Sequence, residues 1–178
     1  TIADGTAVKT PGSNIFPYIK KNLDDIITVE DDELIVAFLD MVENHKMIVE
    51  NSGLLTVAAL KHLGVKDKRV VSILSGGNMD VITMSSVVQQ GLIFRDRIFT
   101  VSVLLPDKPG ELAKVAQTLA DVQGNVIKLE HNQFVTTNRS AAVELRITLE
   151  CFGTEHKEQI IAALEKKGYK PRIVRTMI

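Results

Sequence analysis

Cysteine is almost missing from this chain, neither sign of charge prevails, and long apolar runs are absent. Cys151 is the single cysteine, so no disulfide can form within the chain, and a reducing, cytoplasmic setting is expected. Cys151 stands at the apolar end of an alternating pattern, which makes it a packed core thiol rather than a nucleophile. The formal net charge is −1, which indicates no strong pull toward nucleic acid or an anionic membrane. No apolar run approaches the length of a membrane span, and no signal peptide is visible. No metal-ligand spacing joins His45, which reads as a packed or surface histidine. Walker and G-x-G-x-x-G loops are also missing.

What remains is a 178-residue chain of 45% hydrophobic content, a size and balance suited to one or two folded domains. Residues 24–30 read as a short buried strand. Asp31 or Asp32 is placed to cap the helix that follows, whose face is Leu34, Phe38, Met41, Val42 and His45. Leu54 to Leu63 reads as a second helix stopped by Gly64. The apolar run Arg69 to Leu74 suits a central strand of a parallel sheet, covered on both sides. It ends in Ser75-Gly76-Gly77-Asn78, with a helix expected from about Asp80. In such α/β layers ligands sit beyond the carboxyl ends of strands, which marks Ser75. Residues 91–97 show little periodicity and form the expected boundary, giving domains 1–94 and 98–178.

The second domain is the more regular. Phe99, Val101, Val103 and Leu105 alternate along a strand. A turn at Pro106 to Gly110 opens a helix marked by Leu112, Val115, Ala116 and Leu119. Gly124-Asn125 closes it, and Val126 to Glu130 is the second strand. Residues 136–140 make a polar hairpin loop. Ala141, Val143, Leu145, Ile147, Leu149 and Cys151 then face one way along the third strand. Lys157, Ile160, Ile161 and Leu164 mark the second helix, Gly168 closes it, and Lys170 to Arg175 is the last strand. The order βαββαβ predicts two helices on one face of a four-stranded antiparallel sheet, a ferredoxin-like α+β domain. Lys166, Lys167, Lys170, Arg172 and Arg175 read as a solvated helix end and strand.

Four motifs occur in order in the first domain: Thr1-Ile-Ala-Asp-Gly5, Asp24-Asp-Ile-Ile-Thr-Val29, Val49-Glu50 and Leu74-Ser-Gly-Gly-Asn78. The series resembles the C-terminal half of the serine/threonine dehydratases, pyridoxal-phosphate enzymes of fold type II. Residues 98–175 look like an ACT domain, the amino-acid-sensing module. Leu105-Pro-Asp-Lys-Pro-Gly-Glu-Leu112 and Gly153-Thr-Glu-His156 are similar to the ACT domain fused to the threonine-deaminating members of that family. The resemblance implies an α/β partial pyridoxal-phosphate lobe followed by the ACT domain. It implies cofactor contacts at Ser75 (facing the pyridine nitrogen), Gly5, Glu50 and Gly76. After Glu50 the family is usually small and Gly/Ala-rich, and here Asn51-Ser52-Gly53-Leu54-Leu55 stands instead.

The family's Schiff-base lysine, substrate-carboxylate loop and phosphate loop all lie upstream of the matching segment. The chain, which starts at Thr1 in a structured-looking stretch, is therefore expected to be a fragment and inactive alone. The intact enzyme is expected to convert L-threonine to 2-oxobutanoate and ammonia. A non-catalytic amino-acid-binding regulator and an L-serine enzyme are the alternatives. In the ACT domain the turn Asp107-Lys108-Pro109-Gly110, with Glu111 and Leu112, opens a helix whose N–H groups suit an amino-acid carboxylate. Asn125 is expected to assist with the amino group. Such sites form between two packed copies, so a homo-oligomer is expected, with isoleucine or valine as effector.

Overall fold

The computed structural model describes residues 1–132 and 143–177. The chain divides into two compact units, Thr1–Gly91 and Leu92–Ile178.

The helix signal after residue 30 is realised as α2 (Asp31–Asp40), preceded by the short α1 (Phe16–Asn22). The cap is Glu30, not Asp31 or Asp32: its carboxylate accepts from the third helical N–H, and the Glu33 carboxylate accepts from Glu30 N–H at 2.9 Å. Three acidic residues in the first turn suit the positive end of the helix dipole. Asp31 serves elsewhere, accepting from Ile2 N–H at 3.1 Å and tying down the first residues of the chain. Leu34, Phe38 and Met41 are buried as expected, Val42 half-buried, and His45 exposed. They pack with Ala3, Val49, Leu54, Ala58 and Val87 into the core of this unit. The second predicted helix is broken into a 3-10 turn (Asn51–Leu54), one α turn, α3 (Leu55–Ala58), and another 3-10 turn (Ala59–His62).

Two expected strands do not form. Residues 24–30 and 69–74 carry no ladder hydrogen bonds and lie largely at the surface, with Val71 88% and Ile73 73% exposed. A strand needs a neighbour to take its N–H and C=O groups. No strand of this unit stands beside either run among the described residues. The helix near Asp80 does form, as α4 (Val81–Phe94), which overruns residues 91–94 of the expected irregular boundary. Its Gly91 lies so close to α2 that a Cβ would meet Leu39 at 3.3 Å.

The second unit runs β1 (Ile98–Leu105), α5 (Glu111–Asp121), β2 (Asn125–Asn132), β3 (Val143–Glu150), α6 (Thr154–Lys166) and β4 (Arg172–Val174). The sheet order is β2-β3-β1-β4, with every neighbouring pair antiparallel, so the ferredoxin-like arrangement is as expected. Alternation decides the buried face. Phe99, Val101, Val103 and Leu105 of β1 meet Leu145, Ile147, Leu149 and Cys151, and Val115, Leu119, Ile160 and Leu164 of the helices cover them. On α5 the buried stripe is Val115, Thr118 and Leu119. Leu112 and Ala116 are exposed, contrary to expectation. Thr118 takes the inner place because its hydroxyl donates to Lys114 O at 2.7 Å within its own helix. The expected 136–140 loop and Ala141 lie outside the described residues.

The junction between α6 and the start of this unit is polar. Asp96, with a left-handed φ of 53°, accepts from Thr154 Oγ1 at 2.8 Å and Lys157 Nζ at 2.6 Å. The lysine bond above all holds its carboxyl below the usual range. The Cys151 thiol donates to Asp96 O at 2.8 Å, and burial pushes its pKa up. His156 accepts from Phe152 N–H at Nδ1, 3.1 Å, so its Nε2 carries the hydrogen donated to Val122 O at 2.6 Å.

Candidate functional site

The loop after Leu74 is shaped by backbone crowding. A Cβ on Gly53 would stand 1.7 Å from the Ser75 carbonyl oxygen, so only glycine admits the chain there. Gly76 has φ +79°, and a Cβ on it would stand 2.1 Å from the Glu50 carboxylate carbon. Glu50 N–H donates to Gly76 O at 3.4 Å. Asp80 caps α4, accepting from Ile82 and Thr83 N–H groups at 2.9 Å each, and its carboxyl is held down by its bonds to Thr83. Beside these groups lies a recess of about 340 Å³, lined by Asp4, Gly5, Glu50, Asn51, Asn78 and Thr83 among others.

The structure therefore brings Gly5 and Glu50 to the wall of one recess, with Gly76 packed against the Glu50 carboxylate. Ser75, the residue before it in the loop, is exposed and does not line the recess. A Cβ on Gly5 would meet Ser52 Oγ at 2.8 Å. Sequence reasoning missed Asn51 as a wall residue. It is 6% exposed; its amide donates to Ile2 O at 3.1 Å, and its Oδ1 is buried without a partner. The departure from the small residues usual after Glu50 was the available signal. Buried acceptors left open are uncommon in proteins and imply a donor on a ligand or a water. A recess walled by Gly5, Glu50 and Asn78, with an open buried acceptor on Asn51, suits the edge of a flat heterocycle bearing polar groups. The residues present thus fit a pyridoxal ring.

The second predicted site is only partly assembled. In the turn, Lys108 N–H donates to Pro106 O at 2.8 Å and Gly110 takes φ +90° just before α5. Asp107, Lys108, Pro109 and Gly110 are exposed. Glu111 pairs with Lys114 at 2.7 Å, and that bond raises the lysine pKa. Asn125 does not join them. Register places it opposite Glu150, which is paired to Ile98, whereas the turn follows Leu105, paired to Val143. Seven residues of strand, roughly 23 Å, separate the two ends. The Asn125 amide donates to Glu150 Oε2 at 3.0 Å.

Among known proteins, the family described as "Pyridoxal-phosphate dependent enzyme" matches residues 1–76, and the ACT domain matches residues 99–168. An L-threonine ammonia-lyase of Geobacter sulfurreducens is 38% identical over 171 residues, 95% of this chain and 42% of that protein. One of Thermotoga maritima is 34% identical over 98% of this chain and 44% of its own length. A biosynthetic L-threonine dehydratase of Pasteurella multocida is 31% identical over 94% of this chain and 32% of its own. The chain thus spans less than half the length of these curated relatives. No helix among the described residues is long and apolar enough to cross a membrane.

Proposed function

From a chain that joins part of a pyridoxal-phosphate-dependent enzyme domain to an ACT domain, we propose that it belongs to an enzyme deaminating L-threonine to 2-oxobutanoate and ammonia. The carrying observation is similarity to L-threonine ammonia-lyases along nearly the whole chain. The meeting of Gly5, Glu50 and Gly76 supports it.

When bound, pyridoxal phosphate supplies an electron sink for the amino acid's α-carbon. The residues of this chain would hold part of its ring. The Ser75 hydroxyl would stand toward the pyridine nitrogen and, being neutral, would not hold a proton there as a carboxylate would. Gly5 and Glu50 would line the ring's recess, Gly76 would leave room for the Glu50 carboxylate, and Asn51 Oδ1 would offer an acceptor at the wall. The family's Schiff-base lysine has no match in these residues, so this chain alone is expected to turn over no threonine.

The ACT unit regulates the enzyme by binding an amino acid, isoleucine or valine, at the turn from Asp107 to Leu112. Because Asn125 lies at the opposite sheet end, a complete site of this kind takes Asn125 from a second copy, and a homo-oligomer follows. A cytoplasmic location accords with the single reduced cysteine.

Replacing Ser75 by Ala in the intact enzyme tests the reading. One hydrogen bond of about 0.5–1.5 kcal/mol is lost, so turnover of threonine should fall by roughly two- to tenfold with the fold intact. Unchanged turnover would remove Ser75 from the site. Steady-state comparison on L-serine decides the substrate, and equal or better use of serine would defeat the threonine assignment.

A further inference from the structure

The ACT-type sheet has a face that its helices do not cover, and that face is not simply solvated. Strand pairing sets Lys128, Thr148, Thr100 and Val174 in one row across all four strands, with Glu130, Arg146, Ser102 and Arg172 in the next. Thr100, Ser102 and Thr148 are only 6%, 7% and 5% exposed, although α5 and α6 pack on the opposite face. Longer side chains of the same face stand around them, leaving a polar-floored cleft of about 300 Å³. Lys128, Glu130, Arg146, Val174, Arg175 and Met177 form its rim.

Donors outnumber acceptors there. The Thr100 and Thr148 hydroxyls lie 3.0 Å apart, so one hydrogen joins them and the other is left to donate. Lys128 is paired with Glu130 at 2.8 Å. Arg146 Nε forms an ion pair with a Glu144 oxygen at 3.2 Å, which helps hold the Glu144 carboxyl down, yet the buried Nε has no hydrogen-bond partner among the described residues. Glu144 is itself engaged by Ser102 Oγ at 2.6 Å. Arg175 has no ion-pair partner among the described residues. One uncompensated cation in the cleft, a spare hydroxyl hydrogen and a buried guanidinium Nε without a hydrogen bond call for an anion of single charge. Val174 and Met177 close one side with apolar surface, and the volume admits only a small molecule.

We infer that this sheet face binds a short-chain monocarboxylate, its carboxylate held by Arg146, Arg175 and the threonine pair and its aliphatic tail against Val174 and Met177. The site is separate from the turn at Asp107–Leu112 and rests on neither the catalytic nor the effector reading. An amino acid and its deaminated acid share the chemistry recognised.

The test is a titration of the full 178-residue chain, followed by nitrogen-15 amide shifts, with two matched probes: 3-methylbutanoate and L-valine, which is the same acid with a 2-amino group. Saturable shifts centred on Thr100, Arg146, Thr148 and Val174 are expected with 3-methylbutanoate. Arg175→Gln, an exposed change, should weaken binding by about tenfold or more, as loss of a charged hydrogen bond does. Thr148→Val should weaken it as well, while Thr148→Ser retains it. Valine binding at the same amides identifies Glu130 as taking the ammonium, and exclusion of valine identifies a site that admits only the deaminated acid. Absence of saturable shifts at these amides with 3-methylbutanoate, equal affinity in Arg175→Gln, or shifts confined to residues 106–112 would overturn the inference.

Discussion

The two units use similar amounts of apolar sequence to different ends. In the second, every strand has a hydrogen-bonded neighbour, and its alternating residues close on two helices. In the first, a core around Phe38 and Leu54 is likewise dry, yet Ile26, Val70, Val71 and Ile73 stand exposed on extended chain without strand partners. A sequence can have full strand character and still not be a strand, because a sheet is a property of at least two segments. Exposed contiguous apolar chain of this kind marks an interaction surface or an aggregation liability.

The sharpest way to press the contrast is to damage the closed unit. Leu145→Ala opens a cavity in a fully buried position and should cost about 2–5 kcal/mol. Amide exchange should rise across all four strands together, and loss of protection in β3 alone would show that the sheet is not one cooperative body. The next largest effect is expected in the loop of the first unit. Gly53→Ala forces the Ser75 carbonyl away and should cost roughly 1–3 kcal/mol, with amide shifts concentrated at residues 75–78. Undisturbed shifts there would mean the loop is not pinned by Gly53.

Acid should weaken both units by the same sign of linkage. Glu33 is held down to about 2, by Lys61 first, then the Glu30 N–H and His62, against an ordinary 4.5. Asp96 is lowered from 3.8, by Lys157 first and then Thr154. A depressed folded pKa means that the unfolded chain binds the proton more readily. Each group therefore adds stability above its ordinary pKa and loses it as pH falls, for Glu33 between about 4.5 and 2. Glu33→Gln and Asp96→Asn should each flatten the acid limb of denaturant midpoint against pH, and an unaltered limb would deny these pairs a role. The smallest effect is expected from Val71→Lys, within about 0.5 kcal/mol in this chain, since the side chain touches little. A loss well above that would show the run to be packed.

Legibility followed the same division. The register of the second unit could be read from Val143 to Cys151, because alternation is a local signature and the partner strands lie in the same chain. The turn before α5 could be read from Pro109 and Gly110, whose conformational habits are intrinsic. The pattern misplaced Leu112 and Ala116, since a threonine that satisfies its own hydroxyl can occupy an inward position as well as an apolar residue can. Residues 24–30 and 69–74 misled because apolar content reports a wish for cover and not its presence. At the candidate site Gly76 and Glu50 were legible as motif members. Asn51 was not, because its significance lies in one unpaired oxygen, and hydrogen-bond vacancy has no sequence signature. The separation of Asn125 from the turn is a matter of strand direction, visible only once the sheet order is known.

The thiol of Cys151 gives this molecule a built-in clock. It is the chain's single sulfhydryl, it is buried, and it is bonded to the Asp96 carbonyl at the entrance to the second unit. An alkylating reagent can reach it only while that entrance is ajar, and then only through the thiolate, which burial disfavours. The labelling rate therefore counts local openings of the Asp96–Cys151 contact within the second unit, without any engineered probe. A compound that holds this contact shut would announce itself by slowing the reaction.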